Sequence, residues 1–161
     1  MKERPWLLLS HFVVQFLIVG IGEEIGWRSF LLPLCINKYR FFPAIAMVTF
    51  IWGIWHVPLL FQGFAFVYPW ILILISVSII ITWLWIKTKG NLFVIALTHA
   101  SVNASQAFIE NRLVERNIGK EPLLAGWEML GYGYLVVALM ILLLDFNSFR
   151  DEHNFKIRDK K

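Results

Sequence analysis

Residues 68–86, YPWILILISVSIIITWLWI, decide the fold of this 161-residue chain. The stretch contains no charged residue, and its length is close to the roughly 20 residues that an α-helix needs to cross a bilayer. Trp70, Trp83 and Trp85 lie near its two ends, where the aromatic belts of membrane helices form. The stretch is therefore predicted to be a transmembrane helix.

The composition of the whole chain agrees with a membrane protein. Apolar residues make up 58% of the chain and charged residues only 16%, whereas soluble domains carry about 45–50% and about 25%. These fractions exclude a disordered, collagen-like or coiled-coil protein. The single cysteine, Cys35, excludes an internal disulfide, and we expect it to be a packing residue.

Three further stretches are predicted to cross the membrane, at residues 41–64, 91–109 and 123–144. The first is interrupted near Pro58, because a proline kinks or ends a helix. The second is rich in polar side chains, so we expect it to face a protein interior or a water-filled cavity. We predict one all-α domain over residues 1–161, a polytopic membrane helix bundle of about four to five transmembrane helices.

The basic residues indicate an orientation rather than a nucleic-acid partner. Three basic clusters, at residues 38–40, 87–89 and 150–161, fall on one predicted side, which holds nine Lys and Arg, while the other side holds five. Because these charges flank apolar stretches and form no basic face, nucleic-acid binding is excluded. The positive-inside rule predicts a multi-pass protein of the cell membrane with a cytoplasmic C-terminus.

The opening segment, residues 5–34, is apolar at first and then carries Glu23, Glu24 and Arg28. If it crosses once, the basic N-terminus lies on the less basic side. The segment is therefore expected either to be re-entrant or to follow helices that are absent from this chain. It is not a secretory signal, because it has no small-residue cleavage site and ends in charges.

Ionisable groups at membrane depth are costly, and this chain has three clusters of them. In the first, EEIGWR at residues 23–28, Glu24 and Arg28 are four residues apart and are predicted to pair on one helix face. Glu23 lies about 100° away on a helix. It is thus expected to stay free of Arg28 for a different partner and to be available as a general base. The alternative is a structural ion pair with Glu23 at a wetted helix end.

The other two clusters contain histidine. His56 ends the string WGIWH at residues 52–56, and His99 begins the string HASVN at residues 99–103. His99 and Asn103 are four residues apart and share a helix face. Each group alone is compatible with hydrogen-bonded packing between helices. Together with the carboxylates they suit amide hydrolysis, because a Glu beside a His can activate water and a His with an Asn can stabilise an oxyanion.

In their order along the chain, EEIGWR, WGIWH and HASVN resemble the motifs of the CPBP family of intramembrane proteases. These are relatives of the type II CAAX prenyl endopeptidase, and the family includes bacterial proteins linked to bacteriocin self-immunity. The resemblance covers about residues 21–103. Trp52 stands where the family commonly has Phe. Family members usually carry one to several membrane helices before the EE motif, so the resemblance implies a domain that lacks N-terminal helices.

The resemblance implies a role for each motif residue. Glu23 and His56 would position and deprotonate the attacking water, and His99 and Asn103 would form the oxyanion hole. Glu24 and Arg28 would orient the site. The resemblance leaves the cofactor open: we favour a metal-free mechanism, although Glu23, His56 and His99 could hold a zinc ion with an open fourth position.

These patterns predict an intramembrane endopeptidase, a hydrolase whose partners are membrane lipid and a peptide or protein substrate with an apolar or lipidated segment. Such a substrate requires an apolar groove. The alternative is a non-catalytic bacteriocin-immunity or scaffold membrane protein that uses the same polar cluster for packing or binding. A proton or ion carrier is a third class, which explains His99 and Asn103 less well.

Overall fold

The structure is a computed structural model that describes residues 5–61, 63–115 and 120–150, and these ranges contain helices and turns but no strand. This confirms the predicted all-α class. The helices are α1 (Pro5–Val14), α2 (Ile21–Glu24), α3 (Leu32–Lys38), α4 (Phe41–Trp55), α5 (Val57–Leu60), α6 (Phe64–Lys87), α7 (Leu92–Glu115) and α8 (Lys120–Leu144), followed by a 3₁₀ turn at Phe146–Phe149.

The opening helix, residues 5–38, runs without a break through α1, α2 and α3. Two π-helical segments, Gln15–Gly20 and Ile25–Leu31, connect these three α-helical parts. Such wide turns inside α-helices occur often at functional sites. The described part of this segment is one helix whose Leu9–Lys38 portion is long and apolar enough to cross a membrane, which favours a crossing over the re-entrant alternative.

The predicted span over residues 41–64 is also wrong in its length. Helix α4 ends at Trp55, and the backbone of His56 leaves helical geometry at φ −97° and ψ 18°. Pro58 then lies in the first turn of the short helix α5, where its missing N–H costs nothing. The predicted interruption near Pro58 is confirmed, but it places His56 at a helix junction and not inside a span.

Four helices of the described chain are long and apolar enough to cross a membrane: Leu9–Lys38, Phe64–Lys87, Leu92–Asn111 and Lys120–Leu144. Large apolar side chains, including Leu17, Phe50, Val136 and Leu143, are exposed on the outer faces of the bundle. Lipid is the solvent that suits such a surface. The chain is therefore an integral, multi-pass membrane protein.

Helix α6 forms the centre of the bundle, in contact with α4, α5, α7 and α8. Its buried face alternates large apolar residues with small polar ones, among them Val77, Ile81, Ser78 and Thr82. The opening helix packs on α7, where Gly20 is buried and a Cβ at that position would lie 2.6 Å from the carbonyl oxygen of Ala96. This close approach brings the two helices that carry most of the charged motif residues together.

The three basic clusters of the sequence meet at one end of the bundle. Phe41 and Phe42 pack on Phe149, with ring centroids 6.0 and 5.8 Å apart. Lys87 forms an ion pair with Asp145. Contacts from Lys87, Trp83 and Ser148 lower the pKa of Asp145 to about 2. The predicted grouping of these clusters on one side is confirmed as far as residue 150, and the rest of the C-terminal cluster lies outside the described residues.

Candidate active site

The predicted pair of Glu24 and Arg28 is present and fully buried. The Nη1 atom of Arg28 donates to Oε1 of Glu24 at 3.0 Å, and both side chains are 0% exposed. The same oxygen accepts a second hydrogen bond, from Nδ1 of His99 at 2.7 Å. Because these groups are shielded from water, each depends on the others for its hydrogen bonds. Glu24 thus links the opening helix to α7.

Arg28 is held from two further directions. Its Nη2 atom donates to Oγ of Ser78 at 3.4 Å, and Ser78 shares a 2.6 Å hydrogen bond with Thr49. The guanidinium carbon lies 4.5 Å from the ring centroid of Trp52, which is a cation–π contact. The arginine therefore connects the opening helix with α4 and α6.

Glu23 takes partners other than Arg28, which the sequence left open. Its Oε2 atom accepts hydrogen bonds from the indole Nε1 of Trp27 at 3.2 Å and of Trp52 at 2.9 Å. Spacing along one helix could not identify Trp52 as a partner, because this residue comes from α4. The other oxygen of Glu23, Oε1, makes no hydrogen bond to any residue that the structure describes.

His56 uses the helix junction to fix its ring. Its Nδ1 atom lies 2.9 Å from the carbonyl oxygen of Trp52. A carbonyl oxygen can only accept, so Nδ1 carries the proton, and in the neutral ring Nε2 keeps its lone pair. The ring packs against Trp52 and Trp70, at centroid distances of 5.9 and 5.7 Å.

His99 and Asn103 both face the opening helix, as their shared helix face predicts, but they take separate partners. His99 donates to Glu24, whereas Nδ2 of Asn103 donates to Oε1 of Gln15 at 3.0 Å. The hydroxyl groups of Thr98 and Ser101 turn back to carbonyls of α7 itself. The polar face of α7 is thus satisfied partly within the helix and partly by the opening helix.

Trp52 is the residue around which the three motifs meet. It donates to Glu23, lies under Arg28, and packs edge-on against His56 and against His99, whose ring centroid is 5.3 Å away. Glu23, His56 and His99 therefore surround one side chain.

The sequence interpretation missed four residues that build this arrangement: Gln15, Trp27, Trp52 as a hydrogen-bond donor, and Ser78. Gln15 gave a signal, because it is an amide within a mostly apolar run of the opening segment. Its partner is 88 residues away in the chain, a distance over which no local pattern identifies a contact.

Zinc binding by Glu23, His56 and His99 stays a prediction. Among the described residues, no group of three or more His, Cys, Asp or Glu side chains is arranged to hold a metal ion. The hydrogen bonds of these three side chains use Nδ1 of both histidines and one oxygen of Glu23, and they leave both Nε2 atoms and the other Glu23 oxygen. Cys35 is buried against Met47, as expected for a packing residue.

An apolar groove of about 600 Å³ runs between α4 and α6. Its walls are aliphatic and aromatic, with Thr49 as a polar residue in the lining. The lining also includes Gly53 and Val57, which are close to His56 in the chain. It includes Trp70 as well, which packs against the ring of His56. The groove therefore adjoins the polar cluster.

A family model described as type II CAAX prenyl endopeptidase Rce1-like matches residues 5–105. A curated protein of Methanococcus maripaludis named CAAX prenyl protease 2 is 23% identical over 117 residues, a match that covers 63% of this chain and 43% of the relative. The chain thus spans less than half the length of that protein. No solved structure matches the present chain.

The matched region contains the polar cluster described above. It includes all of EEIGWR, WGIWH and HASVN, together with Gln15, and it extends over more than half of the chain. The chain therefore belongs to the type II CAAX prenyl endopeptidase Rce1-like family.

Proposed function

We propose that this protein is an intramembrane endopeptidase in which Glu23 and His56 activate a water molecule. The observation that carries the proposal is the grouping of Glu23, His56 and His99 around Trp52, next to the buried pair of Glu24 and Arg28. Maintaining so many ionisable groups at membrane depth is costly, and such groups usually mark a functional site.

In this mechanism Oε1 of Glu23 accepts a proton from water while Nε2 of His56 holds the water by its lone pair. The hydroxide oxygen forms a bond to the carbonyl carbon of the peptide, and the carbonyl oxygen becomes an oxyanion. When the C–N bond breaks, the proton on Glu23 passes to the leaving amine. Water is consumed, and the products are a carboxylic acid and an amine.

His99 and Asn103 would stabilise the oxyanion. Asn103 uses one Nδ2 hydrogen on Gln15 and retains a second one. Nδ1 of His99 donates to Glu24, so Nε2 can donate only when the imidazole is protonated. A protonated His99 together with Arg28 would match the two carboxylate charges of Glu23 and Glu24.

The substrate class follows from the groove between α4 and α6. Its apolar walls suit an aliphatic, isoprenoid or transmembrane segment, and its end beside His56 would place a nearby peptide bond at the cluster. We infer a peptide or protein substrate with an apolar or lipidated segment, with membrane lipid as the second partner. The mechanism as proposed uses no metal ion.

The basic end of the bundle is proposed to face the cytoplasm of a cell-membrane protein, following the positive-inside rule. This end contains Lys38, Arg40, Lys87 and Lys89 close to the C-terminal turn. Labelling of single cysteines introduced at Lys89 and at Glu121 in intact cells tests the orientation. The proposal requires that an impermeant reagent reaches position 121 and not position 89.

The experiment for the enzymatic proposal uses the full chain in detergent or nanodiscs with a quenched, prenylated C-a-a-X peptide as the probe. Wild-type protein is expected to cleave the probe, and Glu23→Gln is expected to abolish turnover while leaving the melting temperature and peptide binding intact. Glu121→Gln, an exposed carboxylate in the first turn of α8, is the matched control.

One observation favours the non-catalytic alternative: Glu24, His99 and Asn103 are all engaged in contacts between helices, as packing residues would be. An immunity or scaffold protein would bind the probe or a partner without cleaving it. In that case Glu23→Gln would alter melting or binding, and no hydrolysis would be seen with either protein.

A further inference from the structure

The two indole N–H groups that contact Glu23 donate to the same oxygen. Nε1 of Trp27 lies 3.2 Å and Nε1 of Trp52 lies 2.9 Å from Oε2. The other oxygen, Oε1, has no hydrogen-bond partner in the described part of the chain. A carboxylate with two equivalent oxygens is thereby made asymmetric by its surroundings.

The two donors reach Glu23 from separate elements of the bundle. Trp27 lies in the second π-helical segment, four residues after Glu23, whereas Trp52 comes from α4. Two donors from different directions fix the plane of a carboxylate, whose terminal torsion is otherwise broad. Hydrogen bonds to an ionised acceptor are also stronger than neutral ones. Oε2 is therefore held in place, and Oε1 is left to face a reactant.

Trp52 is itself firmly placed. It is 5% exposed, it carries the guanidinium of Arg28 over its ring, and it packs edge-on against His56 and His99. A bicyclic aromatic ring without the N–H would retain the packing at this position but could donate nothing to Glu23. The indole N–H is thus a feature separable from the bulk of the side chain.

We infer that Trp27 and Trp52 are positioning residues that hold Oε2 of Glu23 and reserve Oε1 as the base. The inference rests on the proposed endopeptidase function and deepens it by naming the groups that set the geometry of its base. Neither indole contacts the reacting atoms in this scheme. Their contribution therefore appears in turnover and not in the binding of substrate.

The test removes each N–H while keeping an aromatic ring at the position. Trp52→Phe and Trp27→Phe are compared with Trp55→Phe, an exposed tryptophan of α4 that packs edge-on against Trp27. Each test variant is expected to lower kcat about 10- to 100-fold on the prenylated peptide, as loss of a hydrogen bond to a charged group implies, with KM unchanged. The double variant should lose more, and Trp55→Phe should behave as wild type.

A second substitution keeps the test decisive if Trp52→Phe fails to fold. Site-specific replacement of Trp52 by β-(3-benzothienyl)alanine exchanges the N–H for sulfur at nearly constant shape. We expect the melting temperature of wild type and the low kcat of the Phe variant. A purely structural role for the indole would lower the melting temperature and leave kcat unchanged below it.

The outcomes separate this inference from the function on which it rests. If Glu23→Gln abolishes cleavage but both Trp52 substitutions retain wild-type kcat, the indole inference is overturned and the endopeptidase proposal stands. A raised KM at constant kcat would also overturn it, because the indoles would then contact substrate. If Glu23→Gln cleaves like wild type, the proposed function and the inference fail together.

Discussion

The protein contains two ion pairs in opposite surroundings. Glu24 and Arg28 are 0% exposed and share their hydrogen bonds with His99 and Ser78. Lys87 and Asp145 lie at the basic end of the bundle, with side chains 43% and 31% exposed. Water can replace the contacts of the exposed pair, Lys87 and Asp145, but not those of the buried pair, Glu24 and Arg28. The same type of contact therefore supports a site in one region and only fastens the end of a helix in the other.

The largest expected effect comes from breaking the buried pair. Arg28→Ala leaves Glu24 without its cation in a region closed to water, at a cost on the order of 3–5 kcal/mol in the free energy of unfolding. Arg28→Lys should restore part of this, since Lys keeps the charge but lacks the planar fork that reaches both Glu24 and Ser78. Melting in detergent, with Lys87→Ala as the exposed counterpart, measures the difference. Equal melting of Arg28→Ala and wild type would show that the pair is not buried in the protein.

Asn103→Ala probes the polar face of α7. Losing one oxyanion donor typically costs about 10²–10³ in turnover, so we expect kcat to fall by that factor with little change in substrate affinity. Gln15→Ala should have a smaller effect in the same direction, because it frees the amide that Gln15 orients. Single-turnover cleavage and binding are measured for both variants. Parallel losses of stability and affinity, without a specific loss of turnover, would assign Asn103 to packing.

Gly20→Ala tests the packing that brings the opening helix to α7. The new Cβ would lie 2.6 Å from the backbone oxygen of Ala96, so the two helices must separate. We expect a loss of about 1–3 kcal/mol, the usual cost of overpacking. Gly22→Ala, where a Cβ meets nothing within 4 Å, is the matched control. Equal melting of the two variants would contradict the close approach.

The smallest effect concerns the exposed pair and its pH dependence. Contacts with Lys87, Trp83 and Ser148 lower the pKa of Asp145 to about 2, whereas an unfolded Asp titrates near 3.9. The ionised form thus stabilises the fold above about pH 4, and this stabilisation is lost as the pH falls towards 2. Asp145→Asn should melt lower than wild type at pH 5, and the gap should close near pH 2. A gap that stays constant with pH would show that the contact is absent.

The features of the fold and of the site that the sequence could predict are local. The four-residue spacing predicted the pair of Glu24 and Arg28, Pro58 predicted the break after α4, and the uncharged stretch at 68–86 predicted most of α6. Each depends on residues within about one helical turn or on a continuous run of one type. The family resemblance stated from the three motifs is likewise confirmed by the family match.

The contacts between helices are what the sequence could not predict. One donor to Glu23, Trp52, lies 29 residues further along the chain. His99 pairs with Glu24 across 75 residues, and Asn103 with Gln15 across 88. The length of the span predicted at residues 41–64 was also wrong, because α4 already ends at Trp55. No spacing rule reports which helices are neighbours.

We propose that Glu23 and His56 act on one water molecule. A double-variant cycle tests this by measuring whether the losses of cleavage rate from the two substitutions are additive. Single-turnover cleavage of the prenylated peptide is compared for wild type, Glu23→Gln, His56→Ala and the double variant. Residues that act as a unit give strongly non-additive losses. We predict that the double variant is no slower than the slower single variant. Losses that multiply would mean that the two residues act independently and would contradict the account.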